Sequence, residues 1–233
     1  MTHGLAIVGH GKMGRLIEQL APEYGFDVRL ALNSATNTCA SGLTRENLRE
    51  VDAAVEFSTP SAAAQNIRRL AALGVPVVAG TTGWLEELSG VRESVQSSGT
   101  ALVWGANFSV GVYRFRQIIA QAASAFAAEG EYQAWGWEIH HAAKRDAPSG
   151  TLLAVAEEMR QAGFDRAITL SANRAGAHPG THEIGFDSSS DTITIRHTAR
   201  SREGFARGAL RAARWIVGKN GVFEFREIAN ELD

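Results

Sequence analysis

The sequence contains one cysteine, Cys39, in 233 residues. A single cysteine excludes an intramolecular disulfide framework and a cysteine-based zinc cluster, and it fits a reducing compartment. No apolar run reaches the length of about 18 residues that a membrane-spanning helix needs. The first residues also lack the basic and apolar regions of a signal peptide. We therefore expect a cytoplasmic protein that is neither exported nor inserted in a membrane.

An excess of charge of one sign is also lacking, since the formal net charge is -2 and the sequence pI is about 6.4. Without an extended basic surface, nucleic-acid binding has no support from charge. With 45% hydrophobic and 21% charged residues, the composition is that of an ordinary globular protein that folds throughout. The expected partner is therefore a small molecule.

The first half of the chain alternates short apolar runs with helical patterns. The apolar runs lie at residues 5–9, 27–32, 53–58, 76–80 and 101–106. Apolar strands separated by helices are typical of a parallel sheet that is covered on both faces. The pattern therefore predicts a Rossmann-type, doubly wound α/β fold.

After Asn107 the pattern changes to one long helical stretch followed by segments that alternate apolar and polar residues. The alternating segments lie at 132–140, 182–188 and 191–199. They predict a second, α+β domain that contains a mixed or antiparallel sheet. We expect a first domain over residues 1–107, a second over 108–202, and a C-terminal segment, 203–233, that packs back on the first.

The motif Gly9-His10-Gly11-Lys12-Met13-Gly14 directly follows the first predicted strand and opens a helix. In this spacing Gly9 makes a tight turn, Gly11 lets the backbone approach a pyrophosphate, and Gly14 allows close packing of helix on strand. The helix N-terminus binds the phosphate. The alternative is a structural glycine turn, but the place of the motif after the first strand of an α/β half favours dinucleotide binding. We therefore expect the first domain to bind a dinucleotide.

The end of the second predicted strand bears on which nicotinamide cofactor is used. NAD-preferring sites usually have an acid there, whereas this chain has Asn33-Ser34. Without a carboxylate a 2′-phosphate is repelled less, and Lys12 or Arg15 can approach it, so NADPH should be accepted. Asn33 can still hydrogen-bond a ribose hydroxyl, so NADH stays open. The turns at 57–60 and 80–83 are expected to border the cofactor, the alternative being ordinary turns with Ser/Thr N-caps.

The stretch WEIHHAAKRDAPSGTLL, residues 137–153, combines two histidines, a lysine and a predicted helix start. The period of a strand places Glu138 and His140 on the face opposite the tryptophans. Helix N-terminal amides beside an ammonium group are suited to a carboxylate, and a histidine can deliver a proton near neutral pH. The stretch therefore predicts a site for a small carboxylated substrate. The alternative is that the histidines only end a strand and the lysine is solvated.

Seven motifs together resemble those of one enzyme family. They are GHGKMGR, FSTP, GTTG, ANFSVGV, EIHHAAKRDAPSGT, RAGAHPGTHEIGF and SREGFARGAL, in this order over almost the whole chain. The family is that of the 4-hydroxy-tetrahydrodipicolinate reductases, or dihydrodipicolinate reductases, of lysine and diaminopimelate biosynthesis. The resemblance implies NAD(P)H-dependent reduction of the cyclic imine dicarboxylate 4-hydroxy-tetrahydrodipicolinate to tetrahydrodipicolinate, by hydride transfer from nicotinamide and protonation by a histidine. It also implies a homotetramer formed through the second domain.

The resemblance also implies roles for individual residues. His140 is expected to be the proton donor and Lys144 its catalytic partner. The expected substrate contacts are His141, Ser149, Gly150, Thr151 and Arg202. The expected cofactor contacts are Gly9, Gly11, Lys12, Met13, Gly14, Asn33, Gly80, Thr82, Ala106, Asn107 and Phe108. The chain departs from the family pattern at Asn33-Ser34, at Ala142-Ala143, and in a shorter connection after the second strand.

Three other hypotheses are weaker. Another two-domain NAD(P)-dependent oxidoreductase, such as an amino-acid or sugar dehydrogenase, would lack the 138–151 block. A catalytically silent cofactor sensor would have lost the histidine acid, which is present. A metal site formed by His178, His182 and His197 is disfavoured because Pro179-Gly180 breaks the helix that this spacing needs. We therefore predict no metal.

Overall fold

The computed structural model describes residues 2–232. In chain order its elements are β1 (His3–Val8), α1 (Lys12–Leu20), β2 (Phe26–Leu32), β3 (Ala53–Glu56), α2 (Pro60–Ala72), β4 (Val77–Ala79), α3 (Leu88–Ser97), β5 (Ala101–Trp104), α4 (Val110–Phe126), β6 (Gln133–His140), α5 (Gly150–Gln161), β7 (Ile168–Arg174), β8 (Thr181–Asp187), β9 (Thr192–Thr198), α6 (Glu203–Ile216), β10 (Gly221–Glu224) and α7 (Phe225–Ile228). Short 3-10 turns lie at Ala21–Tyr24, Thr38–Ala40 and Leu85–Glu87.

These elements form two units. The first comprises the described residues up to Val110 together with those from Glu203 onward, and the second comprises Gly111–Arg202. No helix in the described part of the chain combines the length and the apolar character needed to cross a membrane.

The first unit has a six-stranded sheet in the order β10-β5-β4-β3-β1-β2. Every neighbouring pair is parallel, so the predicted doubly wound parallel sheet is confirmed. The central strands β3 and β4 are buried along their whole length, because helices cover both faces and the runs AAVE and VVA leave few polar groups to solvate. The edge strand β2 alternates buried and exposed residues instead.

The strand order reverses at β1, which has β2 on one side and β3 on the other. In open α/β sheets, ligands bind at the carboxyl ends of the strands beside such a reversal. The fold therefore places a crevice where β1, β2 and β3 end. The strand β10, which the sequence patterns did not reveal, extends the opposite edge by pairing with β5.

The second unit has a four-stranded sheet in the order β7-β6-β8-β9. β6 pairs with β7 in parallel and with β8 in antiparallel fashion, and β8 pairs antiparallel with β9. The predicted mixed sheet is therefore confirmed, with one additional strand, β7. On one face of the sheet the buried side chains of Ala134, Ile184 and Phe186 pack in one core with Ile119 of α4 and Leu152 of α5.

Candidate active site

A cavity of about 440 Å³ lies where β1, β2 and β3 end. Its lining consists of Val8, Gly9, His10, Gly11, Asn33, Ser34, Asn37, Thr38, Cys39, Phe57, Ser58, Thr59, Ala62 and Asn66. The glycine turn, the end of β2 and the 57–59 turn thus meet around one space. Among the described residues that line it, none is acidic, which agrees with the missing carboxylate at position 33.

The three motif glycines have different environments in the structure. Gly9 has a φ of +100°, and a Cβ added there would lie 2.2 Å from the carbonyl oxygen of Phe57. A Cβ at Gly14 would lie 2.4 Å from the carbonyl oxygen of Gly9. A Cβ at Gly11, in contrast, would meet no protein atom within 4 Å. Gly9 and Gly14 are therefore required by the fold itself, whereas the space beside Gly11 is open to a ligand.

The start of α1 is suited to an anion. Gly11 is the N-cap residue and, as a glycine, has no side chain that could cap the first amides of the helix. Backbone N–H groups at a helix N-terminus have no partner within the helix and attract phosphate. The residues present therefore fit a dinucleotide whose pyrophosphate lies at the N-terminus of α1.

Asn33 is fixed by its own loop. Its Oδ1 accepts hydrogen bonds from the backbone N–H of Ala35, at 2.9 Å, and of Thr36, at 3.1 Å. The side-chain oxygen therefore closes a turn after β2. The amide nitrogen of Asn33 is the group that can donate to a ribose oxygen in the cavity.

Other predicted cofactor residues do not line this cavity. Lys12, Met13 and Gly14 continue into α1. Gly80 packs so closely on the ring of Phe57 that a Cβ there would lie 2.1 Å from a ring carbon. Phe108 is buried, with its ring centroid 4.6 Å from that of Phe225. Thr82, Ala106 and Asn107 also lie outside the lining.

Glu56, at the end of β3, is a buried acid that the sequence patterns did not single out. Its Oε1 accepts from the backbone N–H of Ser58 and from Nδ2 of Asn66, both at 3.3 Å. Asn66 Oδ1 in turn accepts from Asn37 Nδ2 at 3.0 Å. Burial raises the pKa of Glu56 despite these hydrogen bonds. Glu56 thus fixes Ser58 and Asn66 in the cavity wall. The signal that could have revealed it in the sequence is an acidic residue at the end of a wholly buried strand.

In the second unit, a fully buried carboxylate lies at the centre of the predicted substrate site. Glu138 and His140 share the buried face of β6, as the period of the strand predicted. Glu138 Oε1 accepts from the backbone N–H of Ser149 at 2.8 Å and from Nη2 of Arg174 at 2.7 Å. Glu138 Oε2 accepts from the Ser149 hydroxyl and lies 3.3 Å from Nε2 of His182. The side chain of Glu138, on β6, is therefore contacted by residues from the start of α5, from β7 and from β8.

Strand register explains this convergence. Arg174 on β7 is the partner of His140, and His182 on β8 is the partner of Glu138. Cross-strand partners place their side chains on the same face. Arg174 and His182 were missed from the sequence because their proximity depends on strand order, which local patterns do not reveal.

His140 is 8% exposed, and its ring lies edge-on to that of His182 with centroids 5.0 Å apart. Burial lowers the pKa of His140, the Glu138 carboxylate opposes that effect, and the Lys144 and Arg174 cations add to it. Burial likewise lowers the pKa of His182 to about 4, so this ring is neutral at pH 7. His140 is therefore the ring of this pair that is better placed to carry a proton.

Lys144 presents its ammonium group to a carboxylate already. Its Nζ lies 2.8 Å from Oδ1 and 2.9 Å from Oδ2 of Asp146. The Lys144 ammonium lowers the pKa of Asp146. A substrate carboxylate at Lys144 would therefore compete with Asp146.

The other predicted substrate contacts differ in accessibility. Gly150 is exposed at the first position of α5, while Thr151 and His141 are half-buried. Arg202 is exposed in the segment before α6. Ser149 is 2% exposed, caps α5 by accepting from the N–H of Leu152, and donates both its own N–H and its hydroxyl to Glu138. Ser149 thus binds the protein, which leaves Gly150 and Thr151 for a ligand.

Glu138, His140 and His182 each offer a ligand atom within 4.8 Å of the others, a spacing compatible with a metal ion. This set differs from the three histidines considered in the sequence, because His182 alone is common to both. The guanidinium of Arg174 and the donors of Ser149 already bind the Glu138 carboxylate. Their positive charge and hydrogen bonds stabilise the carboxylate without an ion.

The first unit has a doubly wound sheet with a glycine turn and a cavity. The second unit has a buried histidine beside a lysine. Together these features define the class of the protein, a two-domain, dinucleotide-dependent oxidoreductase. Residues 3–108 match the family model described as dihydrodipicolinate reductase, N-terminus, and residues 111–228 match dihydrodipicolinate reductase, C-terminus. The chain belongs to the dihydrodipicolinate reductase family. The resemblance seen in the motifs is therefore confirmed.

Individual relatives agree with this assignment. The 4-hydroxy-tetrahydrodipicolinate reductase of Christiangramia forsetii is 33% identical over 98% of each chain. That of Natronomonas pharaonis is 31% identical over 93% of this chain and 96% of its own. Among solved structures, dipicolinate-bound dihydrodipicolinate reductase from Paenisporosarcina sp. TG-14 has a TM-score of 0.79 at 20% identity over 99% of each chain. An amine dehydrogenase from Mycobacterium smegmatis has a TM-score of 0.60 at 11% identity over 97% of this chain and 96% of its own. At these identities both solved structures show a shared fold only.

Proposed function

We propose that the protein catalyses the NAD(P)H-dependent reduction of 4-hydroxy-tetrahydrodipicolinate to tetrahydrodipicolinate, in lysine and diaminopimelate biosynthesis. The observation that carries the proposal is the placement of His140, a buried histidine, beside Lys144 and the start of α5. These groups supply a proton donor and cationic or N–H partners for carboxylates. Family membership over both halves of the chain supports the same reaction.

His140 has the role of general acid in this proposal. Loss of the 4-hydroxyl group as water leaves a conjugated C=C–C=N system in the substrate, and the reduced nicotinamide, when bound, supplies the hydride that reduces it. The electron density left on the substrate then takes up one proton. An imidazolium at His140 delivers that proton, with Lys144 as its catalytic partner. The half-buried His141, the amides of Gly150 and Thr151, and Arg202 are the proposed contacts for the substrate carboxylates, which they orient.

The first unit is the proposed dinucleotide-binding domain and the second the proposed substrate-binding and oligomerisation domain. The pyrophosphate would lie at Gly9, Gly11 and the start of α1, with Asn33 at the adenosine ribose. We propose that both NADPH and NADH are used, because the cavity wall has no carboxylate to repel a 2′-phosphate and Asn33 can still donate to a ribose hydroxyl. The single cysteine supports a cytoplasmic location.

The remaining cofactor contacts stay proposals taken from the family motifs. They are Lys12, Met13, Gly14, Gly80, Thr82, Ala106, Asn107 and Phe108. Because Gly14 and Phe108 are buried by the protein itself, their contribution would be to shape the loops that surround the cofactor.

The experiment that tests the function follows the absorbance of the reduced nicotinamide with freshly prepared 4-hydroxy-tetrahydrodipicolinate. We expect turnover with NADPH and with NADH. Turnover that needs a different carboxylated imine would contradict the substrate assignment while keeping the oxidoreductase class. Tight binding of both cofactors with no turnover on any such imine would show a catalytically silent protein.

The outer face of the second unit's sheet supports the proposed homotetramer. Trp135 and Trp137 are half-buried on that face. On the edge strand β9, Ile193 is 45% exposed on the other face of the sheet, where its partner is Phe186. Exposed apolar faces and unpaired edge strands of this kind are typical of subunit contacts. Sedimentation velocity should give a mass four times that of the 24.9 kDa chain. A species of monomer mass at micromolar concentration would contradict the tetramer.

A further inference from the structure

We propose that Glu138 is a positioning residue of this active site. A single buried carboxylate fixes the start of α5 and lies 3.8 Å from the ring of His140, and its charge lets His140 hold a proton beside the Lys144 and Arg174 cations. This inference rests on the proposed function, since it assigns Glu138 to the same reaction. Nothing in the family motifs gave Glu138 a role of its own.

The first part of the proposal concerns α5. Both the N–H and the hydroxyl of Ser149 donate to Glu138, and the same hydroxyl oxygen accepts from the N–H of Leu152 at 3.2 Å. Glu138 is 0% exposed, so these hydrogen bonds do not exchange with water. The positions of Gly150 and Thr151, which would bind the substrate carboxylate, are therefore set by Glu138 through Ser149.

The second part concerns the ring of His140. Its Nδ1 lies 3.8 Å from Glu138 Oε2 and is buried without a hydrogen-bond partner in the described part of the chain. On the opposite edge of the ring, a Cβ on Gly180 would lie 3.0 Å from Nε2, so the backbone there confines the ring. A small rotation would direct an N–H at Nδ1 to the carboxylate, and the full positive charge of an imidazolium is attracted to the Glu138 charge, which a neutral ring of either tautomer lacks. Glu138 therefore favours the protonated form of His140.

The balance of charge around His140 determines how much this matters. Charged or titratable groups face the ring from its own strand, from the loop that follows, from β7 and from β8, namely Glu138, Lys144, Asp146, Arg174 and His182. His182 is neutral at pH 7 because burial lowers its pKa to about 4. The Lys144 and Arg174 cations lower the pKa of His140, whereas Glu138 and Asp146 raise it. Removal of the Glu138 charge would leave the Lys144 and Arg174 cations opposed by Asp146, whose side chain is half exposed.

Glu138→Gln separates the charge from the shape of the side chain, because glutamine retains an oxygen that can accept from Ser149 and Arg174. We expect kcat at pH 7.5 to fall by up to about tenfold, with KM within about threefold of wild type. The pH of maximal kcat should move down by about one unit, since His140 then holds its proton only at lower pH. Glu138→Asp, which keeps the charge, should restore the pH optimum while raising KM.

The control is Glu158→Gln, which removes another carboxylate that pairs with an arginine, Arg116, in the same unit. We expect this variant to keep the wild-type pH optimum. NMR titration of the His140 ring in wild type and in Glu138→Gln tests the charge effect without any substrate. Its result therefore stands even if wild type fails to turn over the proposed substrate, a failure that would count against the function alone.

A lower titration midpoint of His140 in Glu138→Gln supports the proposal. An unchanged midpoint together with an unchanged pH optimum overturns it. If Glu138→Gln fails to fold, the titration in Glu138→Asp replaces it. A midpoint within about 0.3 units of wild type, together with a raised KM for the substrate or a raised Kd for dipicolinate, then supports the proposal. A midpoint that falls by a full unit although the charge is kept overturns it.

Discussion

His140→Gln is expected to lower kcat by about 10²- to 10⁴-fold, the usual contribution of a general acid, while KM changes by only a few-fold. Glutamine approximates the size of the imidazole and has no proton to give near neutral pH. Because His140 is 8% exposed, water cannot easily replace it as the donor. Steady-state kinetics with either cofactor measure the effect.

His3→Gln is the matched control for this substitution. His3 lies in the first unit, 3.4 Å from Asp52, and has no place in the proposed site. The His3→Gln variant should have the same kcat as wild type. A melting temperature near that of wild type would show that His140→Gln is folded, and a near-normal kcat in that folded variant would remove His140 from the mechanism.

The second large effect is expected at the glycine turn, where Gly9→Ala and Gly11→Ala should fail in different ways. Gly9 has a φ of +100° and closely approaches the backbone of Phe57, so alanine there is strained. We expect Gly9→Ala to reduce the free energy of unfolding by roughly 1 to 3 kcal/mol from backbone strain, before the clash is counted. Gly11 has no such contact, so Gly11→Ala should lose only the roughly 0.5 to 1 kcal/mol that separates alanine from glycine at an N-cap.

Gly11→Ala should nevertheless weaken NADPH binding by about tenfold or more, which corresponds to about 1.4 kcal/mol. The added methyl group would occupy the space that the pyrophosphate needs. Thermal melts without cofactor and fluorescence titration with NADPH separate the two effects. Wild-type affinity in Gly11→Ala would show that no cofactor approaches the backbone at this turn. Gly25→Ala, at a glycine with open space around it and a φ of +73°, serves as the control for backbone strain alone.

The sequence predicted best those features of the fold that depend on local properties, namely the periodicity of apolar residues and the positions of glycines. The apolar runs predicted five strands of the parallel sheet, and the motif at Gly9 predicted the turn after β1. β7 and β10 were missed for physical reasons. The residues ITLSANR of β7 alternate half-buried with exposed positions, and β10 has only four residues after a helix end. Short or weakly apolar strands acquire their structure from a neighbour rather than from their own pattern.

The substrate site shows the same limit at the level of side chains. The spacing of Glu138 and His140 on one strand put them on one face, and the helix start at 150 was evident from its pattern. The hydrogen bonds of Ser149 to Glu138 were not evident from the sequence, because Glu138 lies eleven positions away on another element. Arg174 required knowledge that β7 lies beside β6. Proximity between elements, and the charge balance that follows from it, is decided by tertiary structure.

The pairing of β10 with β5 has a consequence for how the protein is made. Gly221 pairs with Ala101, and the whole second unit is encoded between these two strands. On the ribosome, the first unit has an incomplete sheet edge until Gly221–Glu224 has been synthesised. The second unit, an uninterrupted segment, can fold before that moment. Translation order therefore lets the inserted unit fold before the sheet of the first unit is completed.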